Sequence, residues 1–247
     1  MKIILLGTGG YYPNRHRHTA CLMIPEVGVV LDAGTAAFKL RDHLVTEELD
    51  IFLTHAHLDH VFGLTCLLGM FEDKIPFPIR LHGEREKLRT VQQHLFHEQL
   101  FPVPPPCEML ELKPQEALKL GGTLTWFPLL KHPGGSIGYR LEWPGHSLAY
   151  VTDTIACADA DYVDHIRGVD LLVHEANFND TEREMVDLTG HCCVTDAARV
   201  AAAAGARRLL LVHHNALRDF DEPLELSGAR KVFPEIEVGH DDMAIDF

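Results

Sequence analysis

Thr54-His55-Ala56-His57-Leu58-Asp59-His60 is the stretch on which the reading of this 247-residue chain turns. It directly follows the apolar run Ile51-Phe52-Leu53, which places it at the C-terminal end of a strand. His55 and His57, two residues apart, can share one face of an extended turn. Asp59 and His60 then lie on the next turn, where the chain enters a helix with Val61, Leu64 and Leu67 inward. Four good metal ligands within six residues point to metal chemistry, and their number suits a two-metal site. The bland alternative, a polar loop rich in His by chance, would be a rare clustering of ligand types.

Other candidate ligands also follow apolar runs. His132 comes after Trp126-Phe127-Pro128-Leu129-Leu130, and Asp153 after Leu148-Ala149-Tyr150-Val151-Thr152. The tandem His213-His214 comes after Leu209-Leu210-Leu211-Val212. A single His at a strand end is more often structural; the repetition of the pattern alongside the first cluster favours ligands. The chain holds 17 His, about three times the usual share of about 2%.

The composition is globular, 46% apolar and 23% charged, enough to bury a sizeable core. A formal net charge of -14 excludes nucleic-acid binding by diffuse charge, so any phosphate contact must be local or carried by metal. Cys21, Cys66, Cys107, Cys157, Cys192 and Cys193 form no C-x-x-C pair and are read as reduced thiols. The N-terminal run Met1 to Gly7 lacks a signal-peptide cleavage site, and no apolar run reaches the 18 or more residues of a membrane span. The expectation is a soluble, cytoplasmic protein without a membrane partner.

Short aliphatic runs read as buried strands at 3–6, 20–24, 28–31, 51–54, 79–82, 124–128, 137–142, 147–152, 171–174 and 209–212. A helix is expected over Glu84 to Leu100, with Leu88, Val91, Leu95 and Leu100 inward. An alanine-rich helix is expected over Thr195 to Ala204, capped by Thr195 and stopped by Gly205. Pro102-Val103-Pro104-Pro105-Pro106 reads as a stiff loop rather than a linker, so residues 1–247 are expected to form a single domain, a mixed α/β sandwich with helices covering sheets.

The pattern H-x-H-x-D-H followed by a distant His, Asp and His at strand ends resembles the metallo-β-lactamase superfamily, over nearly the whole chain. Leu6-Gly7-Thr8-Gly9-Gly10 and Leu31-Asp32-Ala33-Gly34-Thr35 resemble that family's first strands and turns. The resemblance implies an α/β fold of four αββα layers and two divalent ions. It implies His55, His57 and His132 on one ion, Asp59, His60 and His213 on the other, and Asp153 bridging both; His214 is the alternative to its neighbour. Leu172-Val173-His174-Glu175-Ala176-Asn177, Gly190-His191-Cys192 and the run from Lys131 to Arg140 resemble the ribonuclease Z and cyclic-phosphate phosphodiesterase branch. That likeness implies His191 as general acid on the leaving oxygen, with Glu175 orienting it or completing its proton relay. The bland alternative makes His191 a helix-start residue and Glu175 a surface carboxylate.

The implied activity is a dinuclear phosphodiesterase, acting on a cyclic phosphate, a nucleotide or an RNA end, in which a metal-bridging hydroxide oriented by Asp59 attacks phosphorus. Imidazole and carboxylate ligands without thiolate suit zinc, and also manganese or iron. Two departures narrow the substrate. Only 20 residues separate His132 from Asp153, leaving no room for the basic arm with which long-armed ribonuclease Z proteins grip tRNA, and no basic exosite replaces it. Cys192 stands where the motif has Ser. The short spacing more closely resembles the small cyclic-phosphate enzymes. The alternatives are a tRNA 3′-processing endonuclease and a thioester or lactone hydrolase of the glyoxalase II kind, which has less need of the Glu175–His191 pair. The branch also often resembles homodimers. Arg15-His16-Arg17-His18 is either a phosphate contact or a solvated basic turn, and Tyr11 and Tyr12 either stack on a base or pack. The 71–78 segment and the 102–106 loop are candidate pocket rims.

Overall fold

The structure, a computed structural model, describes residues 1–71, 78–104, 107–129, 131–218 and 222–247. The chain divides into two compact units. One comprises Met1–Pro13, Arg17–Lys113 and Asp241–Asp246; the other comprises Asn14–His16, Pro114–His240 and Phe247.

Among the described residues, the first unit carries a seven-stranded sheet. Its strands are β1 (Lys2–Gly7), β2 (Cys21–Ile24), β3 (Val29–Leu31), β4 (Leu49–Phe52), β5 (Ile79–Gly83), β6 (Glu108–Glu111) and β14 (Met243–Asp246), in the order β14-β1-β2-β3-β4-β5-β6. From β14 to β3 the pairing is antiparallel, and from β3 to β6 it is parallel. The central strands read as unbroken apolar runs because both faces are covered. Ile4, Leu6, Met23, Val30, Ile51 and Leu81 pack with Ala36, Leu40, Val61, Leu64 and Leu67 from the helical segments. The alternate residues Ile3, Leu5, Leu22, Ile24, Leu31 and Phe52 are buried as well.

The second unit repeats the plan, again with seven strands among the described residues. Its sheet runs β13-β12-β11-β10-β9-β8-β7, from β7 (Gln115–Leu118), β8 (Gly122–Leu129), β9 (Ser136–Trp143), β10 (His146–Val151), β11 (Leu171–Glu175), β12 (Arg208–Val212) and β13 (Ile236–Val238). Strands β7 to β10 pair antiparallel and β10 to β13 parallel. Helix α4 (Val194–Ala204; α1 and α2 are given below, and α3 is Tyr162–His165) lays Val194, Ala197, Ala198 and Ala201 against Leu172, Leu209 and Leu211. It ends at Gly205, whose φ of 62° is the left-handed stop that glycine adopts without steric cost. Each unit thus supplies one sheet and one helical layer, as the αββα expectation requires, and the two large sheets establish the mixed α/β class.

Several local expectations are corrected. The strand expected over 51–54 is β4, Leu49–Phe52, and Thr54 belongs to the loop. The helix expected over 84–100 is α2 (Arg85–Thr90) continued by one π turn, Val91–Leu95. Leu88, Val91 and Leu95 face inward, but Leu100 is 68% exposed, because the helix has ended before reaching it. Helix α4 begins one residue early; Cys193 is its cap and offers no side-chain bond. The Thr195 hydroxyl donates instead to Asp180 Oδ2, stapling the helix start to the preceding segment. The six cysteines carry free thiols, as expected. Among the described residues, no helix is long and apolar enough to cross a membrane. The 71–78 and 102–106 rims lie largely or partly outside the described residues.

Candidate metal centre

The first unit presents His55, His57, Asp59 and His60 from the loop after β4 and the short helix α1 (Leu58–Val61). Val61, Leu64 and Leu67 are buried as expected, and they lock this segment against the sheet. Close contact with the turn after β3 completes the hold. Ala33 N–H donates to His60 O and Gly63 N–H to Ala33 O, both at 2.8 Å. A Cβ on Gly34 would lie 2.2 Å from the Asp59 carbonyl oxygen, so only glycine fits there.

Asp32 governs the imidazoles. Its carboxylate accepts from the Thr54 amide at 2.8 Å, from the Thr54 hydroxyl at 2.9 Å and from His60 Nδ1 at 2.8 Å. The Thr54 hydroxyl has one proton and gives it to Asp32, so its oxygen accepts from His55 Nδ1 at 3.0 Å. Both rings therefore carry their proton on Nδ1 and present a bare Nε2, the form that ligates metal. The rings of His55 and His57 lie 4.4 Å apart and those of His55 and His60 4.3 Å apart. Asp59 Oδ2 lies 3.5 Å from His60 Nε2 and accepts the Tyr11 backbone N–H at 2.7 Å.

The second unit presents His132, Asp153 and His213. Asp153 sits between the two imidazoles, with Oδ1 3.4 Å from His132 Nε2 and Oδ2 3.5 Å from His213 Nε2. His132 Nδ1 donates to the Gly190 carbonyl at 3.3 Å, which again makes Nε2 the unprotonated nitrogen. His214 turns away, with its Nε2 donating to Gly239 O at 3.1 Å, so the register at the tandem pair favours His213. His132 and Asp153 are joined by the β9–β10 hairpin, closed by Pro144-Gly145, which confirms that no arm is inserted there.

His191 and Glu175 meet as expected. His191 Nδ1 donates to Glu175 Oε1 at 3.1 Å, and the His191 ring stacks on His213 at 5.0 Å. Asp153, His191 and His213 each place a ligand-type atom within 4.8 Å of the others. Glu175 is fully buried, which overturns the surface-carboxylate alternative; it accepts the backbone N–H groups of Thr154 at 2.7 Å and Cys192 at 3.2 Å. The Cys192 thiol donates to the Glu175 carbonyl at 3.3 Å, and burial pushes its pKa well above the usual range, so it stays protonated beside the carboxylate. A cavity of about 310 Å³ lined by Pro128, Lys131, Thr154, Ile155 and Tyr162 lies beside this turn.

Asp32, Asp153 and His213 share a conformation that no motif announces: φ of 60°, 57° and 57°. Each follows a strand end, where the left-handed step swings the side chain out of the strand's alternation. Asp32 is the functional residue that the sequence reading missed as an orienter. Its one signal is position, an Asp directly after an apolar strand, as with Asp153. Arg17 is only 3% exposed, so the solvated-turn reading fails for it.

The fit to metal rests on the donor set: imidazoles, of which His55, His60 and His132 are held as Nδ1–H tautomers, carboxylates, and no thiolate among them. The family model described as the beta-lactamase superfamily domain matches residues 29–214. The chain belongs to that family. Ribonuclease Z of Synechococcus sp. (strain CC9605) is 27% identical over 315 aligned positions, covering 100% of this chain and 98% of the relative. Against 247 residues, those 315 positions include at least 68 where this chain has no residue. The metallo-beta-lactamase fold protein YhfI from Bacillus subtilis has a TM-score of 0.80 at 21% identity, with 99% of each chain covered. A diphosphatase from the PhnP family has a TM-score of 0.75 at 17% identity, covering 100% of this chain and 97% of that one. The beta-lactamase superfamily member described here therefore has the metallo-β-lactamase fold, falls in the ribonuclease Z-like branch and is a metal-dependent hydrolase.

Proposed function

We propose that this chain is a dinuclear phosphodiesterase, with residues 1–247 acting as one catalytic domain. His55, His57 and His132 would hold one divalent ion and Asp59, His60 and His213 the other, with Asp153 shared. Zinc suits this set, with manganese or iron as substitutes. Neither unit alone supplies all seven ligands, and the family match spans segments of both. When bound, such ions supply Lewis-acid charge and lower the pKa of water toward neutrality. Asp59 orients the attacking oxygen as a hydrogen-bond acceptor.

The observation that carries the reading is the His191–Glu175 pair. Glu175 takes the Nδ1 proton of His191 in a hydrogen bond and balances the charge of the imidazolium. The opposite nitrogen, Nε2, then donates a proton to the leaving oxygen. An alkoxide leaving phosphorus needs that proton, whereas a thiolate leaving an acyl group has less need of it. This favours phosphodiesters over the thioester and lactone alternatives.

The substrate is a small phosphodiester: a cyclic phosphate, a nucleotide or an RNA end. A second reading, tRNA 3′ processing, is favoured by the names of the curated relatives. The tight β9–β10 hairpin and the charge of -14 weigh against it, since diffuse charge offers no grip on tRNA. A homodimer belongs to the same reading, and light scattering would report about 55 kDa against 27.7 kDa for one chain.

The test is a substrate panel on zinc- or manganese-loaded protein: bis-p-nitrophenyl phosphate, 2′,3′-cyclic nucleotides, a tRNA precursor and a thioester. Phosphodiester turnover is expected, falling about 10²- to 10⁴-fold in His191→Ala while metal content stays the same. Preferred thioester turnover would overturn the reading.

A further inference from the structure

Tyr11 and Tyr12 stand exposed on the turn after β1, with no packing role to account for them. Tyr11 is 78% exposed and Tyr12 40% exposed, and their rings meet edge to face at 5.1 Å. Tyr11 also holds a φ of 69°, a left-handed conformation unusual for a bulky residue, although Gly9 and Gly10 stand beside it. Its ring therefore occupies a costly backbone position and gains no burial in return. The turn itself is firmly tied: Gly9 N–H donates to His18 O at 2.8 Å, Tyr12 N–H to Gly10 O at 2.9 Å, and the Thr8 amide and hydroxyl to Asp241. The decisive contact is the Tyr11 N–H on Asp59 Oδ2 at 2.7 Å, which fixes the aromatic pair beside a carboxylate of the candidate centre.

We propose that Tyr11 and Tyr12 form a stacking platform for a nucleobase, so that the substrate of this site is a nucleotide rather than a purely aliphatic phosphodiester. The inference rests on the phosphodiesterase reading of the same centre. A tyrosine side chain spans about the separation between a phosphate and the base of the same nucleotide. A phosphate held beside Asp59 by the proposed ions would bring its own base within reach of the pair. Stacking is tolerant of sequence, because every base offers a π-face, and it needs no basic surface; an acidic protein can use it where charge would fail. Leu58 and Phe62, 66% and 48% exposed, flank Asp59 in the chain on and just after α1.

Binding separates this inference from catalysis. Adenosine 5′-monophosphate and ribose 5-phosphate are compared by calorimetry and saturation-transfer NMR on the metal-loaded protein. The nucleotide is expected to bind at least about tenfold tighter, with the strongest transfer to its base protons. Tyr12→Ala and Tyr11→Gly are expected to bring that ratio toward one, while Tyr11→Trp keeps it. Tyr11→Gly is informative because it relieves the left-handed strain: the fold is kept or stabilised while the preference for the base is lost. Equal binding of the two ligands, or a ratio that survives in Tyr11→Gly, would overturn the platform even if diesters are cleaved. A base preference that depends on these tyrosines, in a protein that cleaves no diester, would keep the platform and sink the catalytic reading instead.

Discussion

One carboxylate, Asp32, sets the proton positions of two imidazoles: His60 directly and His55 through the Thr54 hydroxyl. Removing it frees both rings to flip or to change tautomer. Asp32→Ala is therefore expected to lower metal affinity about 10- to 100-fold, read by metal titration, although Asp32 itself is not among the proposed ligands. The tandem His213-His214 offers a paired test. His213→Ala is expected to lose bound metal, whereas His214→Gln, which can still donate to the Gly239 carbonyl, is expected to keep it. Elemental analysis of the two purified variants decides between them. At this scale the candidate ligands stood out because His and Asp clusters are rare. Asp32 was not, because one Asp after a strand looks like any turn residue until its three hydrogen bonds are seen.

At the level of elements, legibility followed burial. Ten strands were visible as aliphatic runs, and all ten lie inside the sheets. The four that sequence reasoning passed over, β6, β7, β13 and β14, are the four sheet edges. Edge strands are short and polar on at least one face, as in Glu108-Met109-Leu110-Glu111 and Gln115-Glu116-Ala117-Leu118, so they lack the run that marks a buried strand. Two predictions belong here. Gly34→Ala pushes a methyl into the Asp59 carbonyl, so it is expected to destabilise the fold by about 2 kcal/mol or more and to lower metal content, measured by denaturant titration and elemental analysis. The second concerns Asp50 on β4. Burial pushes its carboxyl up, but hydrogen bonds from Arg80 and His82 on β5 outweigh burial and leave a pKa of about 2. A folded value below the unfolded one, about 3.9, means that the pair stabilises above about pH 4 and loses that contribution as pH falls toward 2. Asp50→Asn is expected to flatten the loss of stability across that window, measured by denaturant midpoints at successive pH values.

For the molecule as a whole, metal and stability are linked. An ion that binds only the folded state adds about 2.7 kcal/mol at 100 times its Kd. Chelation is therefore expected to lower Tm by about 5–10 °C, and zinc to restore it, measured by scanning calorimetry. An unchanged Tm with full metal removal would contradict the proposed seven-ligand site. The hydrogen bond from His132 to the Gly190 carbonyl carries this linkage one step further. Gly190 is the residue before the proposed acid, so the ring proposed to hold an ion also anchors the peptide from which His191 projects. On the proposed reading, loading and proton donation would be mechanically geared. A half-loaded molecule lacking the ion at His132 would have a slack catalytic loop as well as a missing charge, and amide exchange at residues 190–192 would quicken accordingly.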